Sequence, residues 1–168
     1  MDIDKACEII LPRFKTISKE IWGDVVDKMT ITCELKTMKT NNLASLSRDS
    51  RCNPQAIDNH LYRYCKEYTL QLSPRLLELP DDRLEKVLKH ESIHMGYFRH
   101  DRNFLDLASK VGATFSEASF DTPGILIEVR GSNGRYHTVM TAQNPEEARR
   151  LGRKYHFEHP DQRVRITY

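Results

Sequence analysis

Three things are scarce in this 168-residue chain, and each scarcity narrows the field. No apolar run approaches the roughly 20 residues a membrane-spanning helix needs, so no membrane partner is expected. Charge of one sign is not in surplus: 26 Lys and Arg stand against 24 Asp and Glu, a net +2. The chain as a whole therefore carries no field that marks a nucleic-acid binder, and only a local basic face stays open. Cysteine is sparse, and Cys7, Cys33, Cys52 and Cys65 contain no C-x-x-C pair. That spacing argues against a disulfide framework and against a four-cysteine zinc site. It points instead to reduced thiols, packed as small hydrophobes, in a cytoplasmic protein. The opening Met1-Asp2-Ile3-Asp4-Lys5 is acidic and polar, unlike a secretory signal. No internal repeat or low-complexity run is present.

What is there reads as one domain with a small appendage. Apolar residues three and four apart from about residue 3 to 21 predict an amphipathic helix, which Pro12 should kink or split. Residues 29–37 alternate apolar and polar, as a half-buried strand does. The Asn41-Asn42 turn signal then suggests a hairpin with a second strand over 43–48. Residues 49–59 read as a loop running into a short helix near 57–64, and residues 68–72 as a third strand. A helix follows from Asp81 or Asp82, either of which can cap it. Another is opened by Asp101 and closed by Gly112. Residues 114–123 look like a linker. Beyond it come a strand at 125–130, a Ser132-Asn133-Gly134 turn, a strand at 135–142, a helix from Asn144-Pro145 to about His156, and a strand at 162–168. The expected fold class is thus α+β: a core over residues 1–115 and a β-β-α-β unit over 116–168, the latter near the lower size limit for folding alone and expected to dock on the core or on a partner.

One stretch organises the core: His90-Glu91-Ser92-Ile93-His94, followed at His100 by a third histidine. On a helix, residues four apart share a face, so His90 and His94 can point at one ion. Glu91 is turned about 100° from His90, placed to hold a water rather than the metal. Neutral imidazoles suit zinc, and a catalytic site needs three protein ligands and an open position. His100 completes the set if the helix stops after His94, where Gly96 is a local weakness. The chemistry expected of such a site is peptide hydrolysis through a zinc-bound water, with Glu91 as general base. Tyr97, Tyr62, Tyr64 and Tyr68 are candidates to stabilise the oxyanion, but the expected role of each is partial burial with a satisfied hydroxyl.

The pattern H-E-x-x-H-x-x-x-x-x-H-x-x-x-F, carried by His90, Glu91, His94, His100 and Phe104, resembles the SprT-like and WLM group of zinc metallopeptidases. The segment Leu70-Gln71-Leu72-Ser73-Pro74-Arg75-Leu76-Leu77 is similar to the strand and turn before the active-site helix of that group, and Lys110-Val111-Gly112-Ala113 to the end of the helix after it. The likeness spans roughly residues 25 to 115. It implies a small zincin-like core: an N-terminal helix, a three-stranded sheet, the H-E-x-x-H helix and a following helix, with zinc held by the three histidines and a protein or peptide as substrate. Many members carry a paired-cysteine zinc ribbon that this chain lacks, so DNA-dependent cleavage of DNA–protein crosslinks is not carried over. The His90-to-His100 spacing also equals that of the metzincins, which have glycine where this chain has Tyr97.

The C-terminal unit holds Arg149, Arg150, Arg153 and Lys154 on one helix. They read as a solvated face with pairs such as Glu146 and Arg150, or as a face for DNA that would place the protein at the nucleoid. The alternative to an enzyme is a non-catalytic zinc-binding module whose basic unit holds a protein partner or DNA. His60, His137, His156 and His159 stand apart from the motif, the last two close enough to raise a second metal site.

Overall fold

In the computed structural model, which describes residues 5–38, 42–114, 125–142 and 144–167, apolar side chains three and four apart build the first helix, α1 (Ala6–Trp22). It buries Ile10, Phe14, Ile17 and Trp22. Pro12 neither splits it nor ends it. A proline removes one N–H from the ladder, but anchors on both sides of it, Ile10 and Phe14, hold the helix against the core. Asn41 and residues 115–124, where a turn and a linker are expected, lie outside the described residues.

The chain divides into two compact units, Met1–Ala118 and Ser119–Tyr168. Both mix helix and strand, and the class is α+β, with four α-helices and three small sheets among the described residues. In the first unit five strands follow α1: β1 (Thr30–Leu35), β2 (Ala44–Arg48), β3 (Gln55–Ile57), β4 (His60–Arg63) and β5 (Glu67–Leu72). The hairpin expected between residues 29–37 and 43–48 does not form. β5 inserts between the two strands, parallel to β1 and antiparallel to β2. The physical reason lies in β5 itself. Its alternate residues Tyr68, Leu70 and Leu72 are all buried, so it belongs at the sheet centre, where strands on both sides satisfy its backbone.

The short helix expected near residues 57–64 is instead a hairpin, β3 with β4. Its turn is Asp58-Asn59, with φ of 48° and 62°. Asp and Asn tolerate this left-handed region, and two such residues in a row make the tight turn that suits strand twist. The thiol reading is overturned for one pair: Cys52 and Cys65 form a disulfide that brackets this hairpin. A crosslink closing a loop of this size stabilises by about 3 kcal/mol in the chain-entropy account. The cytoplasmic expectation leaned on reduced cysteines, so this bond withdraws that support. Cys7 on α1 and Cys33 on β1 are free thiols, with Sγ atoms 2.9 Å apart.

A 3-10 turn at Pro74–Glu78 leads into α2 (Asp81–Ile93), and α3 (Arg102–Val111) follows. Asp101 caps α3, its side chain accepting from the Phe104 N–H, and Gly112 ends it in the left-handed conformation. α2 is not capped by Asp81 or Asp82: the N-cap position is Pro80. Both acids sit in the first turn, where the helix dipole favours them, and Asp81 accepts from Arg13 on α1 at 3.1 Å.

The second unit contains β6 (Ile125–Arg130), β7 (Tyr136–Ala142), α4 (Pro145–Glu158) and β8 (Val164–Thr167). β6 lies between β7 and β8, antiparallel to both. Ile125, Ile127 and Val129 are buried. Asn144 caps α4, accepting from the Glu147 N–H, with Pro145 at its first position. No described helix is long and apolar enough to cross a membrane.

Candidate metal centre

The end of α2 is shaped by α1. Trp22 Nε1–H donates to the Ser92 carbonyl at 2.8 Å, and the Ser92 and Ser18 hydroxyls meet at 3.0 Å. Past Ile93 the backbone tightens: Met95 N–H donates to Ser92 O and Gly96 N–H to Ile93 O. Helix termini commonly satisfy their last carbonyls this way. Gly96 contributes more than weak helix propensity. A Cβ there would lie 2.6 Å from Trp22 Cη2 and 3.0 Å from Ala56 Cβ, so only glycine lets the chain turn under the indole. The turn then carries His100 back towards the helix.

The three histidines converge. His90 Nε2 is 3.3 Å from His94 Nε2, and His100 Nε2 is 3.1 Å from each. An ion bound tetrahedrally by imidazoles at 2.0–2.1 Å needs nitrogens about 3.3–3.4 Å apart. The observed triangle is close to that size, and the donor set fits a metal ion. The far side of two rings fixes their proton. His90 Nδ1–H donates to Thr114 O at 2.8 Å, and His94 Nδ1–H to Tyr97 O at 3.0 Å. A carbonyl only accepts, so these Nδ1 atoms carry the hydrogens and the Nε2 lone pairs face inward. Inward lone pairs repel one another, and a cation between them removes that repulsion.

Electrostatics keep the rings neutral. Burial pushes the His90 imidazole down from its ordinary 6.5 to about 3; the Thr114 contact opposes this, and the other two rings add to it. Burial likewise takes His94 to about 4, against the pull of Tyr97 and with the help of His100 and the Arg48 charge. His100 is lowered by burial too. Phe104, fully buried on α3, packs on all three rings, with centroids 4.9, 4.7 and 4.6 Å from His90, His94 and His100. It is a dry apolar floor that restricts how each imidazole can turn.

Glu91 follows His90 on α2 and is 1 % exposed. Of the tyrosines weighed as oxyanion partners, three are engaged elsewhere. Tyr97 O–H donates to Asn59 Oδ1 and accepts from the Asn59 N–H, Tyr68 O–H donates to the Met95 carbonyl, and Tyr62 O–H donates to Gln55. Tyr97 thus ties the β3–β4 turn to the metal-site loop. Among the described residues, His90, His94 and His100 form the one group of three metal-capable side chains. His60, His137, His156 and His159 belong to no such cluster, and His159 stacks on Tyr155 instead.

Sequence reasoning missed Arg48. It lies far upstream on β2, stacks on Phe98 at 4.1 Å, and its charge reaches His94. With Tyr62, Phe98, Arg99 and Asn103 it lines a cleft of about 890 Å³ beside the loop that joins His94 to His100. No local pattern marks such a residue, because its role depends on where β2 lies in the sheet. Comparison of the chain with known protein families, with curated proteins and with solved structures found no match in any of the three. The chemistry of this centre therefore rests on its own geometry, which is that of a site able to hold a metal ion.

Proposed function

We propose that the first unit is a zinc-dependent peptidase with a zincin-like core of the SprT/WLM type. One observation carries this reading: three inward-facing Nε2 atoms 3.1–3.3 Å apart, from His90 on α2, His94 at its C-terminal cap and His100 in the loop beyond, with the buried Glu91 next to the first of them. Zinc, when bound, supplies a Lewis acid that polarises a carbonyl and brings the pKa of a water towards roughly 7. His90, His94 and His100 would hold it as neutral ligands, two of them oriented by the Thr114 and Tyr97 carbonyls and all three packed on Phe104. Glu91 takes a proton from the attacking water and returns it to the leaving amine. The substrate is a protein or peptide chain lying in the cleft lined by Arg48 and Phe98. The cation–π pair of these residues supports that placement, because it gives a formed wall to a cleft that borders the loop between His94 and His100.

The competing reading is a zinc-binding module without turnover. Hydrolysis of an unfolded protein substrate separates the two. Glu91→Gln should keep its zinc and lose hydrolysis by about 10²–10⁴-fold, the usual worth of a positioned general base. Retention of full activity in that variant would remove Glu91 from the mechanism. A wild type that binds zinc and cleaves nothing would favour the module.

A further inference from the structure

The second unit offers a surface that the metal chemistry does not use. We propose that the groove between α4 and β8 binds an extended, acidic peptide segment, which joins the sheet as a further strand along β8. This inference concerns the second unit alone and does not depend on the reading of the histidine centre.

Among the described residues, the sheet order β7-β6-β8 leaves β8 with a partner on one side. Its backbone groups can be assigned. Arg130 N–H donates to Arg163 O at 3.0 Å, and the register pairs Glu128 with Arg165 and Leu126 with Thr167. In an antiparallel ladder every second residue turns its N–H and C=O away from its partner. Val164 and Ile166 therefore direct theirs to the open edge, which is the template for strand addition.

Beside this edge lies a groove of about 1010 Å³. Its lining includes Val164 and Ile166 from β8, the latter seated against Gly152 of α4, where a Cβ would come 3.4 Å from Ile166 Cδ1. Phe157, at the end of α4, is 88 % exposed and lines the same groove. So large an aromatic left in water at a groove mouth suits an apolar anchor for an incoming side chain. The charges are one-sided: Arg149, Arg153 and Arg163 line the groove against the single acid Asp161. An acidic segment complements them, and a basic one is repelled.

Cations and an exposed aromatic would also suit single-stranded nucleic acid. The open edge favours a peptide, because alternating amide donors and acceptors match a polypeptide backbone and have no counterpart in a sugar-phosphate chain.

The test uses the full chain and three fluorescein-labelled probes read by anisotropy: a ten-residue peptide of alternating Glu and Thr, its Lys–Thr counterpart, and an oligothymidylate. The Glu–Thr peptide should bind at micromolar concentration and the Lys–Thr peptide should not. Arg153→Glu should weaken the Glu–Thr complex at least tenfold. Val164→Pro removes an outward N–H without touching the ladder to β6, and should weaken it similarly. Should that variant fail to fold, slowed amide exchange at Val164 and Ile166 of the wild type on peptide binding reads the same hydrogen bonds. Absence of binding by the Glu–Thr peptide would overturn the proposal, as would indifference to Arg153→Glu or unchanged exchange at those two amides. Tighter binding of the oligothymidylate than of the peptide would overturn it in favour of a nucleic-acid face. Zinc content, followed in parallel, keeps a failure here separate from a failure of the peptidase reading.

Discussion

The first unit buries His90 and Glu91 at the end of α2, while the second keeps Arg150, Arg153, Lys154 and His156 of α4 in water. Both helices are amphipathic and both carry charge-bearing side chains, yet only one turns them inward. Burial is costly for a polar group unless a partner or an altered charge state compensates. The first unit meets that cost with neutral imidazoles, two of them bonded to backbone carbonyls, around a point where a cation can sit. The second avoids it by leaving its cations solvated, where exposed ion pairs such as Lys154 with Glu158 add little to stability. Buried polar groups in tight geometry define a site for one small ion, and exposed ones define a surface for a larger partner.

This contrast can be broken first with acid. The folded pKa values of His90 and His94, about 3 and about 4, lie below the ordinary 6.5 of an unfolded histidine. The unfolded chain therefore takes up protons first. The metal-free protein should keep full stability above about pH 6.5 and lose it steadily as pH falls towards 4. Urea unfolding followed at several pH values checks this, and a first unit equally stable at pH 4.5 and 7.5 would refute the dry, neutral pocket. Phe104→Ala is the next largest disturbance. It removes the ring beneath all three imidazoles and should cost about 3–5 kcal/mol in denaturant unfolding, as large-to-small changes in well-packed cores do. It should also loosen metal retention, since the rings lose their common floor. Arg153→Glu sits at the other end of the scale. As an exposed change in the second unit it should move stability by less than about 0.5 kcal/mol. A larger loss would mean that Arg153 is structural.

The parts legible from sequence were those set by local rules. His90 and His94 share a face because helix geometry puts i and i+4 together. His100 returns because Asp101 opens a new helix and Gly96 admits the turn. The element types of the second unit follow from Asn133-Gly134, from Asn144-Pro145 and from the strand-like runs at 125–130, 135–142 and 162–168, but the long-range pairing of β6 with β8, which sets Leu126 opposite Thr167, does not. The misreadings arose where partners are distant. β1 and β2 look like a hairpin until β5, far along the chain, takes the place between them. Cys52 and Cys65 look like isolated thiols until the β3–β4 hairpin brings their Cα atoms to 5.8 Å. The Asp58-Asn59 turn is only weakly signalled: both residues tolerate the left-handed region, but the dipeptide has no glycine and its flanks, Gln55-Ala56-Ile57 and His60-Leu61-Tyr62-Arg63, are not apolar runs. Arg48 is not signalled at all, because nothing near it in sequence ties it to His94.

The claim on which the rest stands is that three imidazoles hold one ion. Metal analysis of the purified 168-residue chain, wild type beside His94→Ala, tests it most directly. About one zinc per chain in the wild type and none in the variant is the expected result for a three-histidine site. A wild type that is metal-free at neutral pH and takes up no added zinc would contradict it.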